Sequence, residues 1–228
     1  MNTPDMGSAG ADFTISRGPD ARERILSAAE SLFAIRGFEG VSTTQIAKVA
    51  GITQPLIHYH FKNKEALWKA TVARLFGKIS DEFSTQVGAL PKNDSRRYLI
   101  EMIRCYVSLM AAYPQFGQFI LREGVQESPR LDWMVDEWVK PLLGQFHGCY
   151  VQGVSEGWIK EIPFPQLIMV ITASASQFFS LAPLVKSLYE IETNDPEQVL
   201  FHGDAVAELA VNAILTDPVA SQPRATVA

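Results

Sequence analysis

Residues 41–64 carry the local pattern that most restricts what this chain can fold into. Ser42 is a good helix N-cap residue, and Gln45 three positions later completes a capping box, so a helix is predicted to begin here. Gly51 suits the left-handed position that ends a helix, and Thr53 can cap the next one. Two helices of about eight residues joined by a short glycine turn are typical of the helix-turn-helix unit of DNA-binding proteins.

The second of these helices has an unusual outer surface for its length. Ile52, Ile57 and Phe61 recur at the spacing of one buried stripe, which leaves the other side chains outside. A short solvated helix normally carries Lys, Glu and Ala there. This one carries an amide, an apolar tip, a phenol and two imidazoles, which suit base edges and phosphates. These side chains are Gln54, Leu56, His58, Tyr59 and His60.

The motifs extend on both sides of this unit. The residues concerned are Arg22, Ile25, Leu26, Ala28, Ala29, Leu32, Phe33, Gly37 and Phe38, then Thr44, Ile46, Ala47, Ala50, Gly51 and Ile52, then Tyr59, His60, Phe61, Lys64, Glu65 and Leu67. Over residues 22–72 the chain resembles the TetR family of one-component transcriptional regulators. The segment containing Gln54-Pro55, Tyr59-His60 and Lys62-Asn63-Lys64 is especially similar to the tetracycline-type repressors. One departure is His58, which stands where the family usually has tyrosine, so base preference does not transfer. The resemblance implies a DNA surface formed by Thr43, Thr44, Gln54, Pro55, Leu56, His58, Tyr59, His60 and Lys64.

Net charge is divided unevenly along the chain, although the total of −5 is acidic. Residues 17–74 hold nine Lys and Arg against five Asp and Glu, a net charge of +4. Residues 75–228 have a net charge of −7. A basic surface confined to the N-terminal unit is what a phosphate-facing module requires, so the acidic remainder is expected to face away from DNA.

Composition also bounds the organisation and the compartment of the chain. No apolar run reaches the eighteen or so residues of a membrane helix, and the N-terminal segment lacks the basic and apolar regions of a signal peptide. Two cysteines, Cys105 and Cys149, fit a reducing compartment. We therefore expect a cytoplasmic protein without a membrane partner. Its predicted segments are a disordered tail (1–16), a helix-turn-helix DNA-binding domain (17–63), an effector-binding and dimerisation domain (64–216) and a second disordered tail (217–228).

Helical periodicity continues after residue 64, and no strand-like alternation is present. The sequence predicts an all-α fold of about nine helices, with an N-terminal three-helix DNA-binding head and a C-terminal helical domain. A kink is expected at Pro141 inside a long helix. The helices predicted after the head cover residues 64–88, 94–113, 115–125, 129–157, 167–187 and 195–215.

Residues 167–188 are apolar nearly all round, so this helix must be covered on most sides. The resemblance implies that the last two long helices pair with their twins in a dimeric four-helix bundle. The alternative is that both helices fill the core of their own protomer. A homodimer would place two recognition helices about one DNA turn apart, where they could read a palindrome. The predicted dimer residues are Ile168, Ile171, Phe179, Leu184, Val206, Leu209 and Ala213.

Aromatic and methionine side chains are concentrated in the middle helices. Each one taken singly is more typical of a core, but together they suit an apolar cavity with a few polar anchors. The family places its effector among these helices, which favours a small hydrophobic or aromatic molecule. The predicted ligand-binding residues are Tyr106, Met110, Phe116, Phe119, Arg122, Glu123, Trp133, Trp138, Phe146, His147, Tyr150 and Phe178.

Catalytic and metal-binding patterns are absent from the sequence, so we expect no enzyme, no cofactor and no metal site. His58 and His60 on one helix point about 200° apart and cannot chelate a common ion. Cys149 is interpreted as packing, with a redox switch as the alternative.

The resulting prediction is a transcriptional regulator, most consistent with a repressor that binds a palindromic DNA operator as a homodimer and is released by an effector. The family consists mostly of repressors, often of a neighbouring gene or of their own. Two alternatives remain open. One is a DNA-binding protein that responds to no ligand, and the other is a small-molecule sensor or carrier whose DNA-binding head is inactive.

Overall fold

The computed structural model describes residues 20–216, and these residues form α-helices joined by short connections. An all-α fold is therefore confirmed. The helices are α1 (Ala21–Arg36), α2 (Thr43–Ala50), α3 (Gln54–Phe61), α4 (Lys64–Gly88), α5 (Ser95–Ala112), α6 (Pro114–Glu123), α7 (Pro129–Met134), α8 (Lys140–Ser155), α9 (Phe164–Ser180), α10 (Ala182–Tyr189) and α11 (Pro196–Ile214).

The local signals around α2 and α3 act as the sequence predicts. The Ser42 hydroxyl accepts from the Gln45 amide at 3.2 Å, and the Gln45 side chain accepts from the Ser42 amide at 2.8 Å, so the capping box is complete. Gly51 ends α2 with φ +63° and ψ +42°, a left-handed conformation that is costly for other residues. Thr53 occupies the N-cap position of α3, but its side chain makes no capping hydrogen bond. Thr53 is thus at the predicted cap position, but its side chain does not cap the helix.

Helix α4 links the two ends of the molecule. The Asn63 side chain accepts from the Ala66 amide at 2.7 Å and starts a helix of 25 residues, with Lys64 in its first turn. Its buried face includes Leu67, Trp68, Val72, Phe76 and Phe83, and packs against α1 and α5.

The predicted helix over residues 167–187 is broken in the structure. Helix α9 ends at Ser180, α10 begins at Ala182, and their axes differ by 73°. Leu181 between them has non-helical backbone angles (φ −107°, ψ +30°), and Pro183 cannot donate the hydrogen bond that would continue α9. The prediction of one helix was wrong because it followed the continuous apolar sequence across this break.

A π-helical segment, Val135–Val139, connects α7 to α8 where a kink at Pro141 was predicted. Pro141 lacks the N–H that would bond to the Glu137 carbonyl, which accounts for irregular helical bonding in this turn. If α7, this segment and α8 are taken as one helix, residues 20–216 contain ten helices, one more than the approximate prediction because of the break at Leu181.

We call α1 to α3 the head and α4 to α11 the body. Helix α1 packs against both α4 and α6, so the head lies directly on the body. The predicted tails, residues 1–16 and 217–228, lie outside the described residues. A functional division between residues 63 and 64 stays a prediction, although α4 begins at that point.

Across residues 20–216, no single helix is both long and apolar enough to cross a membrane. The α9 and α10 pair reaches that length and composition only when the two bent helices are counted together.

Candidate nucleic-acid interface and effector region

Helix α3 has a buried face and a polar, exposed face. Ile57 and Phe61 are buried against the head, whereas Tyr59 is 82% exposed. The other predicted DNA contacts on this helix are exposed (Gln54, Pro55, His58) or half-buried (Leu56, His60). Helix α3 therefore directs a phenol, an amide and imidazole groups outward from a fixed hydrophobic base.

The side chain of Gln54 is held by the two threonines that begin α2. Its Nε2 donates to the Thr43 hydroxyl at 3.2 Å, and the Thr44 hydroxyl donates to its Oε1 at 3.2 Å. These bonds fix which end of the amide is the donor and which is the acceptor. Each end retains hydrogen-bonding capacity, which is what bidentate reading of adenine requires.

His58 has a defined tautomer when its ring is neutral. Its Nδ1 lies 3.2 Å from the Lys62 carbonyl oxygen, which can only accept a hydrogen bond. Nδ1 must then carry the proton, and Nε2 is left as an acceptor. An acceptor on this exposed ring can meet a base amino group. Beside it, Tyr59 and His60 contact edge to face, with ring centroids 5.2 Å apart.

An open cleft of about 720 Å³ lies between the α1–α2 loop, α2 and the start of α4. It brings together Thr43, Thr44, His58 and Lys64, but Gln54, Tyr59 and His60 do not line it. Lys48 lines the cleft and was not among the predicted contacts. Its position four residues after Thr44 on α2 places both on one helix face, and that spacing could have identified it.

Lys64 lies over an aromatic ring at the edge of this cleft. Its Nζ is 4.3 Å from the centroid of Phe38, in the α1–α2 loop. A cation in the first turn of a helix opposes the helix dipole, and the ring face offsets part of that cost.

The twelve predicted ligand-binding residues fall into separate places. Tyr106, Met110, Phe116, Phe119 and Phe146 are buried inside the body. His147 and Tyr150 form a cluster with Phe164 at the outer side of α8, and Phe178 stacks on His202 between α9 and α11. Trp133 and Trp138 lie near α4, and Arg122 is exposed. The structure thus does not unite all twelve around one space.

The interior residues form a closely packed aromatic cluster. The rings of Phe83 and Phe146 stack at 5.4 Å, and Tyr106 meets both edge to face. Phe76 and Phe116 are 4.5 Å apart. Burial alone raises the pKa of the Tyr106 phenol well above its ordinary value.

Two tryptophans close to this cluster have buried N–H groups. Within the described part of the chain, the Nε1 atoms of Trp68 and Trp138 are inaccessible to solvent and make no hydrogen bond. A buried donor left unpaired costs about 1–3 kcal/mol, so such groups require an explanation. Trp138 lies in the π-helical segment and faces Gly77, where an added Cβ would be 3.3 Å from its ring. π-Helical turns occur frequently at functional sites.

Glu123 at the end of α6 is only 6% exposed, and it pairs with Arg130 on α7. Burial raises the pKa of the Glu123 carboxyl, and the Arg130 guanidinium opposes that rise. The Glu123 carboxylate, which was predicted to anchor a ligand, is therefore already paired with Arg130.

The predicted dimer residues are divided between the core and the surface. Ile168, Ile171, Phe179 and Val206 are buried within the protomer, whereas Leu184, Leu209 and Ala213 are exposed. An apolar groove of about 490 Å³ lies between α9 and α11. Leu209, Ala210 and Ala213 line it together with Val170.

Neither cysteine has the environment of a reactive thiol. Burial raises the pKa of Cys149 to about 11 and also raises that of Cys105. Because the thiolate is the reactive form, this favours packing for Cys149 over a redox switch.

Comparison with known proteins shows which family this sequence resembles. The sequence model for "Bacterial regulatory proteins, tetR family" matches residues 25–71. HTH-type transcriptional regulator RutR of Escherichia coli K12 is 29% identical over 175 residues, which cover 76% of this chain and 81% of that protein. In sequence the chain therefore resembles TetR-family transcriptional regulators, most specifically over residues 25–71. The TetR-family relatives found are transcriptional regulators, so the prediction that the chain is not an enzyme is confirmed.

Solved TetR-family structures have the same fold. A regulator from Marinobacter aquaeolei VT8 superposes with a TM-score of 0.67 at 18% identity, covering 86% of this chain and 96% of that one. FadR from Bacillus subtilis in complex with stearoyl-CoA has a TM-score of 0.64 at 21% identity, covering 84% and 98%. These likenesses confirm the TetR-type arrangement of head and body.

Proposed function

We propose that this protein is a TetR-family repressor that binds a palindromic operator as a homodimer and is released by a small apolar effector. The observation that carries the proposal is the outer surface of α3. Its polar groups are exposed, its base is buried, and Gln54 is oriented by hydrogen bonds before any DNA is present. Such preorganisation lowers the entropy lost when a base edge is bound.

Each group on this surface has a chemical task in the proposed complex. The Gln54 amide suits adenine, and the neutral His58 ring offers an acceptor to a base amino group. Tyr59 is exposed enough to reach a phosphate or a base. Lys48 and Lys64 in the cleft supply positive charge for the backbone.

A second copy of this chain is the partner that fits the outer faces of α9 and α11. Their inner faces pack against α5, and the outer faces expose Met169, Val170 and Leu209. A two-fold axis brings the same patch of both protomers together, so each exposed apolar residue is buried twice. Two heads joined in this way can read the two halves of a palindrome.

The effector is proposed to enter the body between α4 and the π-helical segment. The unpaired Trp138 donor belongs to this segment and its ring faces Gly77 of α4, and the unpaired Trp68 donor lies on α4 beside Trp133 of α7 and Phe119 of α6. They favour an apolar molecule that also carries a hydrogen-bond acceptor, such as a carbonyl or carboxylate oxygen. The relative FadR binds stearoyl-CoA, a molecule of this general chemistry. To release DNA, the effector must bind the two states differently, typically by about 1–3 kcal/mol.

The close packing of the aromatic cluster favours a second candidate, a DNA-binding protein that responds to no ligand. A thermal-shift screen of fatty acids, acyl-CoA esters and aromatic acids separates the two. A bound effector at a hundred times its Kd stabilises the folded state by about 2.7 kcal/mol, which raises Tm visibly. Stabilisation that also weakens DNA binding supports the effector; DNA binding unaffected by every stabilising compound supports the second candidate.

Repression itself is tested with a reporter gene. The genomic fragment that the purified protein retains most strongly is placed upstream of the reporter, and the protein is then expressed. The proposal predicts that the reporter signal falls when the protein is present and returns with Tyr59→Ala. A signal that rises instead would identify an activator, and one that does not change would contradict control at this fragment.

Lys64→Ala is expected to weaken operator binding through the loss of one phosphate contact. The slope of log Kd against log salt should fall by about one unit, since one fewer counterion is released. Fluorescence anisotropy at several salt concentrations measures it. Lys78→Ala is the matched control, because Lys78 lies on the same helix about 21 Å further along. An equal slope change in both variants would remove Lys64 from the proposed interface.

A further inference from the structure

Arg130, at the start of α7, reaches from the body to the head. Its guanidinium carbon is 3.9 Å from the centroid of the Phe38 ring, and Lys64 Nζ is 4.3 Å from the same centroid. Phe38 belongs to the α1–α2 loop, the loop that forms one wall of the DNA cleft. One ring therefore contacts a body cation and a proposed DNA-contacting cation at once.

Phe38 is held firmly on the head side. Its ring stacks on Phe33 of α1 at 6.0 Å and meets Trp68 of α4 edge to face at 6.4 Å. Phe33 and Trp68 are fully buried. The position of Phe38 is thus coupled to the core of the head and to the first turns of α4.

Arg130 is held firmly on the body side. Its Nε lies 3.4 Å from the carboxylate of Glu123 in the body, while its Nη2 reaches across to the head and lies 3.7 Å from the Glu39 carboxylate of the α1–α2 loop. The Glu39 side chain is exposed, so that pair contributes little. Glu123 is buried, and a buried carboxylate needs its cation, so this pair ties α7 to the end of α6.

We propose that Arg130 is a positioning residue which sets the α1–α2 loop and Lys64 in their DNA-binding arrangement from the α6–α7 corner of the body. This inference rests on the proposed DNA-binding function of the head. Helix α7 continues directly into the π-helical segment that contains Trp138. Through α7 the Arg130–Phe38 contact therefore joins the head to that segment of the body.

Arg130→Met tests the proposal because it keeps a long side chain and removes the cation. Amide exchange of residues 37–42, measured by mass spectrometry, is expected to become about tenfold faster, and operator affinity about tenfold lower. Arg97→Met is the matched control, because Arg97 is exposed on α5 in the body. Arg130→Lys should retain part of the affinity, since it keeps a cation over the ring.

A double-mutant cycle with Phe38→Leu separates positioning from general loss of stability. If Arg130 acts through Phe38, Arg130→Met should cause no further loss of operator affinity in the Phe38→Leu background. Equal losses in both backgrounds, or unchanged exchange of residues 37–42, would overturn the proposal. If Arg130→Met does not fold, Arg130→Met combined with Glu123→Gln removes the unpaired buried charge and gives the same comparison.

The exchange measurement also separates a failure of the proposed role of Arg130 from a failure of the proposed DNA-binding function. If the wild-type protein binds no selected duplex, the proposed function fails. Exchange of residues 37–42 in Arg130→Met then still decides whether Arg130 orders the loop.

Discussion

Replacing Tyr59 by alanine is expected to lower operator affinity by roughly 30-fold, or about 2 kcal/mol, a typical value for one good base or phosphate contact. The phenol is 82% exposed on α3 and meets its neighbour His60 edge to face, so its removal should leave the head folded. Anisotropy titration of the selected duplex measures the affinity. Circular dichroism melting checks that the fold is unchanged.

Two further variants show which part of the Tyr59 side chain matters and control for the loss of an exposed tyrosine. Tyr59→Phe keeps the ring and removes the hydroxyl, so it separates stacking from hydrogen bonding. Tyr189→Ala is a matched control, because Tyr189 is another exposed tyrosine, at the end of α10 in the body. Wild-type affinity for Tyr59→Ala would remove α3 from the proposed DNA surface.

Leu209→Glu is expected to dissociate the proposed dimer. Leu209 is 73% exposed beside the apolar groove between α9 and α11. Burying such a side chain contributes about 2 kcal/mol, and two-fold symmetry counts it twice, so dimer affinity should fall by roughly a thousandfold. Sedimentation velocity should show a monomer at micromolar concentration. Operator affinity should fall as well, because one head reads only a half-site.

Leu121→Glu is the control for this substitution. Leu121 is an exposed leucine on α6 that does not line the groove between α9 and α11, so this substitution should leave the dimer intact. A Leu209→Glu protein that remains dimeric would show that the groove is covered by something other than a second copy.

The head could be predicted from the sequence because its signals are local. Ser42, Gln45 and Gly51 determine their helix ends through neighbours within a few residues. The outward polar groups of α3 followed from the buried spacing of Ile57 and Phe61. Lys48 was not predicted because a single lysine on α2 is a weaker signal than the row of unusual side chains on α3.

The body was less predictable because its contacts join distant parts of the chain. Periodicity identified Tyr106 and Phe146 as apolar positions, but not that they pack on each other with Phe83. Periodicity also could not show that His147 and Tyr150 lie in a different cluster from these three rings. Pro183 did signal the end of α9, but the continuous apolar run outweighed it.

The contacts that join head and body had no sequence signal at all. Arg130 is an ordinary helix-start arginine in the sequence, and only the fold places it over Phe38. Likewise, the unpaired donors of Trp68 and Trp138 depend on what surrounds them in three dimensions.

Selection of bound sequences from random duplex DNA shows whether the effector-free protein reads a palindromic operator. The purified wild-type protein is incubated with the duplex pool, and the retained DNA is sequenced. We expect enrichment of a palindrome whose half-sites are about one helical turn apart, and loss of that enrichment with Tyr59→Ala. Folded, dimeric protein that enriches no sequence would contradict an effector-free form that binds an operator.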